Sequence, residues 1–442
     1  MKFTRAAASL FVAALVVGSV AASGAGVAWA DGNGGWSHGN HGHQGGPATL
    51  FVSPSGQTGN SDWSCDSAAY STIGAAVSAA SPWATVVVCG GTYNEQVVLS
   101  QPLTLQGRDD ATIDEAGVTP AFSVPMPPGP AATIYAGVVI ISSNVTIQDL
   151  TIKDAMGEGI IAAGLTAPIA HVDIHDDHVV NNDLGGGVPA ASPYFECAAQ
   201  GQVPGDCGEG IHLIGNVGWS EVSDNWVSGN SGGILLSDDI GPTHDNVVEG
   251  NTVTKNLSDC GITLPGHNPN ALNASGVPQP SVAGVYNNLI KDNQVTDNGT
   301  TGEGAGVLFA NASAGTAVYN NWVVGNYIAG NGLSGVTMHA HTLAPGTFED
   351  LSGNNVVDNW IGTNNVDGDT LDSPPPPAPA GTEDLVTTGV LVFSGGAPVT
   401  THVADNHIFG DAVGIWLSAA VTAHGLGDNS FHHVTTPVSA NN

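Results

Sequence analysis

Acidic and histidine residues recur at the ends of short apolar segments in the middle of the chain. Asp238 and Asp239 follow one such segment, His267 follows the next, and His212 lies within the preceding one. Adjacent carboxylates on a half-buried surface repel each other, so one keeps a raised pKa and can donate a proton while the other stays ionised. Two carboxylates with these properties are what hydrolysis of a glycosidic bond requires. We therefore predict that these four residues are catalytic.

Further polar residues occupy equivalent places in neighbouring segments. We expect them to bind substrate: Glu209, Asp259, Thr263, Glu303 and His339. Trp219 and Trp226 lie near them in sequence and can stack on sugar rings, although a tryptophan at such a place is more often structural. The alternative interpretation is that the acids are ordinary solvated turn residues.

Another histidine- and aspartate-rich run, residues 171–178, does not predict a metal site. Asp173 and His175 alternate with Val172 and Ile174 along a predicted strand. The polar side chains therefore point outward as ordinary strand residues, and they cannot all converge on one ion. We predict no metal site and no certain cofactor. Calcium at acidic turns remains open because the chain is strongly acidic, but no calcium-binding repeat specifies it.

An internal repeat must position all of these residues. The pattern Gly-[Ile/Val]-x-apolar begins at positions 210, 233, 261, 306, 335, 389 and 414. A second pattern, Asn-x-[Val/Ile], follows between these positions, and a third short strand precedes it. Uninterrupted repeats are 23–29 residues long (positions 210 to 233 and 306 to 335, for example). A β-propeller needs a period nearer 40–45 residues.

Three strands of this length can bury an apolar face only by stacking coil upon coil. The repeat therefore predicts an all-β fold, a right-handed parallel β-helix of about eight to nine three-strand coils. Asparagine side chains at the bends can hydrogen-bond from coil to coil. The apolar positions point inward and the x position outward, so equivalent x positions form rows. An amphipathic helix over 70–80 is expected to cap the first coil.

The composition limits the range of partners. Residues 1–30 have the pattern of an export signal, 31–48 form a Gly/His-rich linker, and 49–442 form one β-helix domain. After residue 30, four Lys and Arg residues face 39 acids, a formal charge of 4 − 39 = −35. Such a surface excludes nucleic acid and anionic membranes as partners, and no segment is apolar enough for membrane insertion. We expect a secreted, extracellular protein.

Five cysteines in an exported chain point to disulfides. Cys197 and Cys207 flank a polar loop and form the most plausible local pair. Cys65 and Cys89 bracket the N-terminal helix and can join it to the first strand. Cys260 is then left over, and we expect it to be a buried apolar residue.

The sequence resembles the pectate-lyase-like superfamily, especially NosD-type right-handed β-helix proteins. The resemblance covers about 50–435 and depends on Thr92-Tyr93-Asn94-Glu95, on 103–107 and on the Asn-x-[Val/Ile] coils. Asp238-Asp239 followed by Gly266-His267 also resembles part of the polygalacturonase pattern. The Asn-Thr-Asp and Arg-x-Lys elements of that family are missing, which puts a uronic-acid substrate in doubt. This superfold hosts hydrolases, lyases, epimerases, esterases and non-catalytic proteins.

These observations favour a secreted polysaccharide-active protein, a glycoside hydrolase acting on a polysaccharide or cell-surface glycan. A polysaccharide lyase or epimerase is disfavoured because the chain has so few cations to place against a sugar carboxylate. The alternative is a non-catalytic extracellular β-helix protein for adhesion, envelope structure or glycan binding. A metal-delivery role is disfavoured because it requires a convergent His/Met/Cys cluster, and the chain has only four methionines.

Overall fold

The computed structural model describes residues 48–57, 60–124, 132–182, 209–301, 304–311, 313–340, 348–366, 386–395 and 397–440. The predicted export signal and nearly all of the predicted linker lie outside these residues. So do Cys197, Cys207 and Glu303, whose predicted roles stay predictions. The statements that follow concern the described residues from 48 onward.

Three long sheets, here named A, B and C, receive one strand each from successive coils, and every strand pair within them is parallel. Sheet A contains twelve strands: Thr49–Val52, Ala84–Val88, Leu103–Gly107, Val145–Gln148, Val172–His175, Glu221–Ser223, Val247–Glu249, Leu289–Lys291, Trp322–Val324, Asn355–Val357, Val399–Ala404 and Val421–His424. Sheet B contains eleven strands: Gly91–Tyr93, Ala111–Asp114, Thr151–Lys153, His178–Val180, Trp226–Ser228, Thr252–Thr254, Gln294–Thr296, Tyr327–Ala329, Trp360–Ile361, His407–Phe409 and Ser430–His432.

Sheet C also contains eleven strands: Val97–Leu99, Ala136–Ile140, Glu158–Ala162, Glu209–Leu213, Gly232–Leu236, Ile262–Gly266, Val307–Asn311, Val336–Ala340, Thr388–Ser394, Val413–Leu417 and Thr436–Ala440. A short five-stranded sheet lies between C and A: Ile169–Ala170, Val217–Gly218, Thr243–His244, Val285–Tyr286 and Val318–Tyr319. Ser123–Val124 and Ala132–Thr133 form an antiparallel pair. The predicted right-handed parallel β-helix is confirmed.

Valine, isoleucine and leucine fill the interior because alternate residues of each strand point inward. Ile211 and Leu213 are fully buried there, as are their register partners Ile234 and Leu236. One continuous apolar cluster extends from Leu50 to Leu417. Each coil thus buries its inward side chains against the coils on either side.

Buried asparagines mark the three corners of the central coils, whereas earlier coils have other residues at these positions, such as Leu150, Ala155 and Ser220. Within each row a side-chain amide donates to the asparagine Oδ1 of the following coil over 2.8–3.1 Å, except at the row ends Asn354 and Asn364. The same Oδ1 accepts the backbone N–H of the preceding asparagine, and the amide also donates to a strand carbonyl. The corner between sheets A and B holds Asn225, Asn251, Asn293, Asn326, Asn359 and Asn406. The corner between B and C holds Asn182, Asn230, Asn256, Asn298, Asn331 and Asn364.

A short helix, Ile73–Ala79, lies beside the first strands and buries Ile73, Ala76 and Val77. Glu95 accepts hydrogen bonds from the first two N–H groups of this helix, at 2.7 and 2.9 Å. This helix, the longest in the described part of the chain, falls far short of a membrane span. The disulfide Cys65–Cys89 is present as predicted, and Cys260 is a buried free thiol. The coil number and the capping role of the helix stay predictions.

Two asparagine rows end in an aspartate. Asp177 stands before Asn225, and Asp411 stands after Asn364, whose backbone N–H it accepts at 3.0 Å. Both are buried, and neither Oδ2 has a hydrogen-bond partner among the described residues. Burial raises the pKa of Asp411 to about 8, although the hydrogen bond from Asn364 opposes the shift. Burial likewise raises the pKa of Asp177 well above its usual value.

Asp411→Asn should stabilise the protein relative to wild type, and more so at pH 8 than at pH 4. The folded pKa of Asp411 lies above the unfolded value near 4, so its folded state keeps a proton that is lost as pH rises toward 8. An asparagine removes this penalty and continues the row. We expect a gain of at least about 2 kcal/mol at pH 8 and almost none at pH 4, measured by chemical denaturation.

Asp405→Asn is the matched control, because Asp405 is exposed at a left-handed turn that asparagine also tolerates. Asp405→Asn should leave the difference in the free energy of unfolding between pH 4 and pH 8 the same as in wild type. An Asp411→Asn protein with the wild-type pH dependence would contradict the proposed cost of the buried carboxylate.

Candidate active site on sheet C

The register of sheet C brings the predicted residues of successive coils side by side. His212 lies between Ile161 of the preceding strand and Leu235 of the following strand. Its neighbours along its own strand, Ile211 and Leu213, point into the core, so the imidazole belongs to the outer surface of the sheet. The strand therefore has the predicted orientation, with its apolar positions inward and the x position, His212, outward.

The imidazole of His212 is held at both nitrogens. Nδ1 lies 3.1 Å from Glu158 Oε1, and Nε2 lies 2.8 Å from Ser237 Oγ. All three side chains are at most 1% exposed. Two successive strands of sheet C supply Glu158 and His212, and Ser237 directly follows the next strand, so the repeat itself sets these distances.

Asp239 and His267 form a second, more accessible pair. His267 Nδ1 lies 3.0 and 3.1 Å from the two carboxylate oxygens of Asp239. The side chains of Asp239 and His267 are 14% and 28% exposed, respectively. Burial alone would raise the pKa of Asp239, but the charge of His267 and hydrogen bonds from His267 and Ser237 outweigh it, so its pKa lies below the usual value.

Ser237 joins the two pairs. Its hydroxyl contacts His212 on one side and hydrogen-bonds to the carboxylate of Asp239 on the other. Glu158, His212, Ser237, Asp239 and His267 thus form one connected polar chain, with a buried end at Glu158 and a partly exposed end at His267.

Asp238 has a different environment from Asp239. Its Oδ1 accepts the backbone N–H groups of His267 and Asn268 at 2.7 and 3.0 Å, and its Oδ2 accepts that of Gly284 at 2.8 Å. Burial raises its pKa to about 6, although the two N–H groups at Oδ1 oppose the shift. This carboxylate therefore holds both ends of the segment between His267 and Gly284.

Two of the expected substrate-binding acids lie close together at the start of sheet C strands. A Cβ atom placed on Gly232 would lie 3.2 Å from Glu209 Cγ and 3.4 Å from Asp259 Cβ. The side chains of Glu209 and Asp259 therefore lie on either side of Gly232 and leave little room for a larger residue there. Thr263 lies in register with Leu235 and is buried.

Other expected binding residues are not part of this group. His339 lies on the third sheet C strand after the one that precedes Ser237, which is about 14 Å away at the usual strand spacing. Its ring contacts the ring of Phe393 instead. Trp226 begins a strand of sheet B, and Trp219 lies at the corner before sheet A. Neither tryptophan is beside the sheet C residues. The expectation that they line the same site is wrong, because each belongs to another side of the coil.

Glu158 was missed by the sequence interpretation. The signal is a repeated tripeptide, since Glu-Gly-Ile at 158–160 recurs at 209–211 in the next coil. Glu158, Glu209 and His212 each offer a ligand atom, and these atoms lie within 4.8 Å of one another. The sequence predicted no metal site, and this group was overlooked because its members come from coils 51 residues apart, separated by an insertion.

Residues 142–334 match the family model described as "Periplasmic copper-binding protein (NosD)". The predicted resemblance is confirmed. The matched segment covers less than half of the chain, but it contains every residue from Glu158 to His267. No match to the chain was found among curated proteins.

Solved parallel β-helix structures resemble the chain over most of its length. The Yersinia enterocolitica family 28 exopolygalacturonase is 13% identical, with a TM-score of 0.48, covering 89% of this chain and 78% of that one. The Azotobacter vinelandii mannuronan C-5 epimerase AlgE4 A-module is 16% identical, with a TM-score of 0.47 and coverage of 84% and 94%. An alginate lyase from Paenibacillus sp. str. FPU-7 is 11% identical, with a TM-score of 0.41 and coverage of 89% and 99%.

Asp238→Asn should destabilise the fold, whereas Asp239→Asn should not. An amide has one acceptor oxygen, so the new side chain in Asp238→Asn would turn its NH₂ group toward a backbone N–H that the carboxylate now accepts. We expect a net loss of stability at pH 7, measured by chemical denaturation, because the broken hydrogen bonds outweigh the cost of ionising the buried carboxylate that asparagine removes. Asp239→Asn keeps an oxygen for His267 and should cost less than about 1 kcal/mol. Equal losses in the two variants would contradict the anchoring role of Asp238.

Proposed function

We propose that the protein is a secreted polysaccharide-active enzyme, a glycoside hydrolase, whose chemistry centres on Asp239 and His267. The observation behind this proposal is the 3.0 Å contact between these two side chains at the accessible end of the connected polar chain. A histidine oriented by a carboxylate through Nδ1 is a common arrangement for proton transfer.

The two residues have complementary roles in this proposal. Asp239, which keeps a low pKa, orients the imidazole of His267 through Nδ1 and stabilises its protonated form. His267 donates its Nε2 proton to the departing sugar oxygen as the glycosidic bond breaks, and it then takes a proton from the water whose oxygen bonds to the sugar carbon. Ser237 and His212 position Asp239 from behind, with Glu158 holding the imidazole of His212. Asp238, first predicted as a partner in the proton transfer, is reassigned to anchoring the segment that presents His267.

The charges of the chain favour a neutral glycan as the substrate. Lys153 pairs with Asp114 and Asp154, and Lys291 pairs with Glu249, away from the sheet C residues. A uronate polymer requires a cation against its carboxylates, and none of the described Lys or Arg residues belongs to sheet C.

Asp239→Asn and His267→Gln should each lower kcat/KM by about 100-fold or more, because the first removes the charge that orients His267 and the second removes the proton-transfer group. The assay measures release of reducing ends from a panel of neutral polysaccharides. Asp176→Asn is the matched control, since Asp176 contacts His175 Nδ1 at 2.9 Å in the same kind of pair on another sheet. Full turnover in Asp239→Asn would end the assignment, and no turnover on any glycan would favour the non-catalytic, glycan-binding alternative.

A metal-binding role is the second candidate, and one specific cluster favours it. Glu158, Glu209 and His212 place ligand atoms within 4.8 Å of one another in a buried position, inside the segment that matches a family described as copper-binding. A divalent cation would offset the repulsion of two buried carboxylates.

The donor set of this cluster restricts the metal. Carboxylate oxygen and imidazole nitrogen suit Zn²⁺, Mn²⁺ or Cu²⁺, whereas Cu⁺ prefers the sulfur of cysteine or methionine. Calcium, considered from the acidic composition, takes oxygen ligands and is poorly served by His212. Glu158 and Glu209 would hold the ion through oxygen, and His212 through nitrogen.

Equilibrium dialysis with Zn²⁺, Mn²⁺ and Cu²⁺, followed by elemental analysis, tests this second candidate. We expect about one equivalent bound and a rise in Tm with metal concentration. Glu158→Gln and Glu209→Gln should abolish both effects, while Asp176→Asn should keep both. Metal uptake that survives in both glutamine variants would place the ion elsewhere.

A further inference from the structure

An open groove lies on sheet A, on a different side of the coil from the sheet C residues. Its volume is about 390 Å³, and its lining includes Trp83, Trp219, Thr146, Asp173 and Glu221. The two tryptophans are 58% and 60% exposed. We propose that this groove binds an extended, neutral glycan chain.

The floor of the groove is a row of polar side chains from four successive strands. Thr104, Thr146, Asp173 and Glu221 are register partners of one another along sheet A. At the usual strand spacing this row is about 14 Å long. Hydroxyl and carboxylate groups at this regular spacing can exchange hydrogen bonds with the hydroxyl groups of a sugar chain lying along the helix axis.

Both tryptophans have a left-handed backbone, with φ of +71° at Trp83 and +50° at Trp219. This conformation is costly for a bulky residue, about 1–3 kcal/mol at each position. Later coils have Asp245 and Asn287 at the position of Trp219, and these residue types tolerate the conformation well. A tryptophan there makes the turn less stable and leaves a large apolar ring in water, so a binding role accounts for both costs.

Trp219 is also held firmly in place. Its ring contacts the ring of His244 edge-on, with 4.8 Å between the ring centroids. The ring of His244 stacks on that of Tyr286, with 5.0 Å between the centroids. A ring fixed in this way loses little freedom when a ligand packs on it. The faces of Trp83 and Trp219 can each cover the apolar face of a sugar ring, one toward each end of the groove.

The charge of the groove selects against anionic glycans. Asp173 and Glu221 face each other across adjacent strands, and no Lys or Arg is among the lining residues. A polyanion would meet the like charges of Asp173 and Glu221, with His171 as the one basic side chain among the lining residues, whereas a neutral chain can donate its hydroxyl protons to these carboxylates. The site is separate from Asp239 and His267, so binding here does not require the proposed hydrolysis.

Affinity electrophoresis tests the proposal with the full chain carrying Asp239→Asn, which prevents cleavage. The probes are three neutral polymers embedded in native gels: hydroxyethyl cellulose, galactomannan and soluble starch. We expect at least one polymer to retard the protein, equally with and without added salt. Trp83→Ala and Trp219→Asn should each weaken binding roughly tenfold.

Trp219→Asn keeps the turn chemistry of the later coils, so its fold should be at least as stable as that of the parent protein by thermal denaturation. Trp360→Ala, at an exposed tryptophan on sheet B, is the matched control and should bind like the parent. The proposal is overturned if no polymer retards the protein, if both tryptophan variants bind like the parent, or if salt abolishes the retardation. Retained binding by a protein without hydrolase activity would refute only the proposed catalysis.

Discussion

Coil-to-coil hydrogen bonding by buried asparagine side chains is the interaction on which the rest of the structure depends. Each side-chain amide hydrogen-bonds to backbone groups that the corner of a coil would otherwise leave buried without partners. Asn326, for example, accepts the backbone N–H of Asn293 and donates to the carbonyl of Ile290. An unsatisfied buried group of this kind costs about 1–3 kcal/mol. Because the same bonds recur at all three corners, they also fix the register of sheets A, B and C. The outer rows of side chains exist only because that register is kept.

Much of this architecture can be predicted from sequence, because asparagine and glycine mark the corners and alternating apolar residues mark the strands. The proximity of Asp239 and His267 follows in the same way, since they occupy equivalent positions just after neighbouring sheet C strands. The inward turn of Asp238 does not, because it depends on how the chain between His267 and Gly284 returns to the coil. The role of Glu158 was hidden by the insertion that separates it from Glu209. Local patterns reveal strand neighbours, but not the partners that loops supply.

The scarcity of cations leaves the acids of sheets C and A in different surroundings. On sheet C, buried acids are balanced by histidine and backbone N–H groups, as for Glu158 with His212 and for Asp238 with His267. On sheet A, Asp173 and Glu221 stay near water beside large exposed rings. Carboxylates in the two places therefore have different properties: those of sheet C depend on a connected network, and those of sheet A on solvent and ligand hydroxyls.

The direction of the asparagine rows has a consequence for how such a chain can lengthen or shorten. Between consecutive asparagines of a row, the side-chain amide donates toward the coil that follows, and Oδ1 accepts from the coil before. A complete extra turn of the β-helix supplies both the donating amide and the accepting Oδ1, so it fits between two neighbouring coils of these rows. Duplication or deletion of whole turns therefore preserves the hydrogen bonds. A partial turn would break all three rows at once. Variation in length is therefore confined to integral turns, and intermediate additions are tolerated only as loops outside the corners.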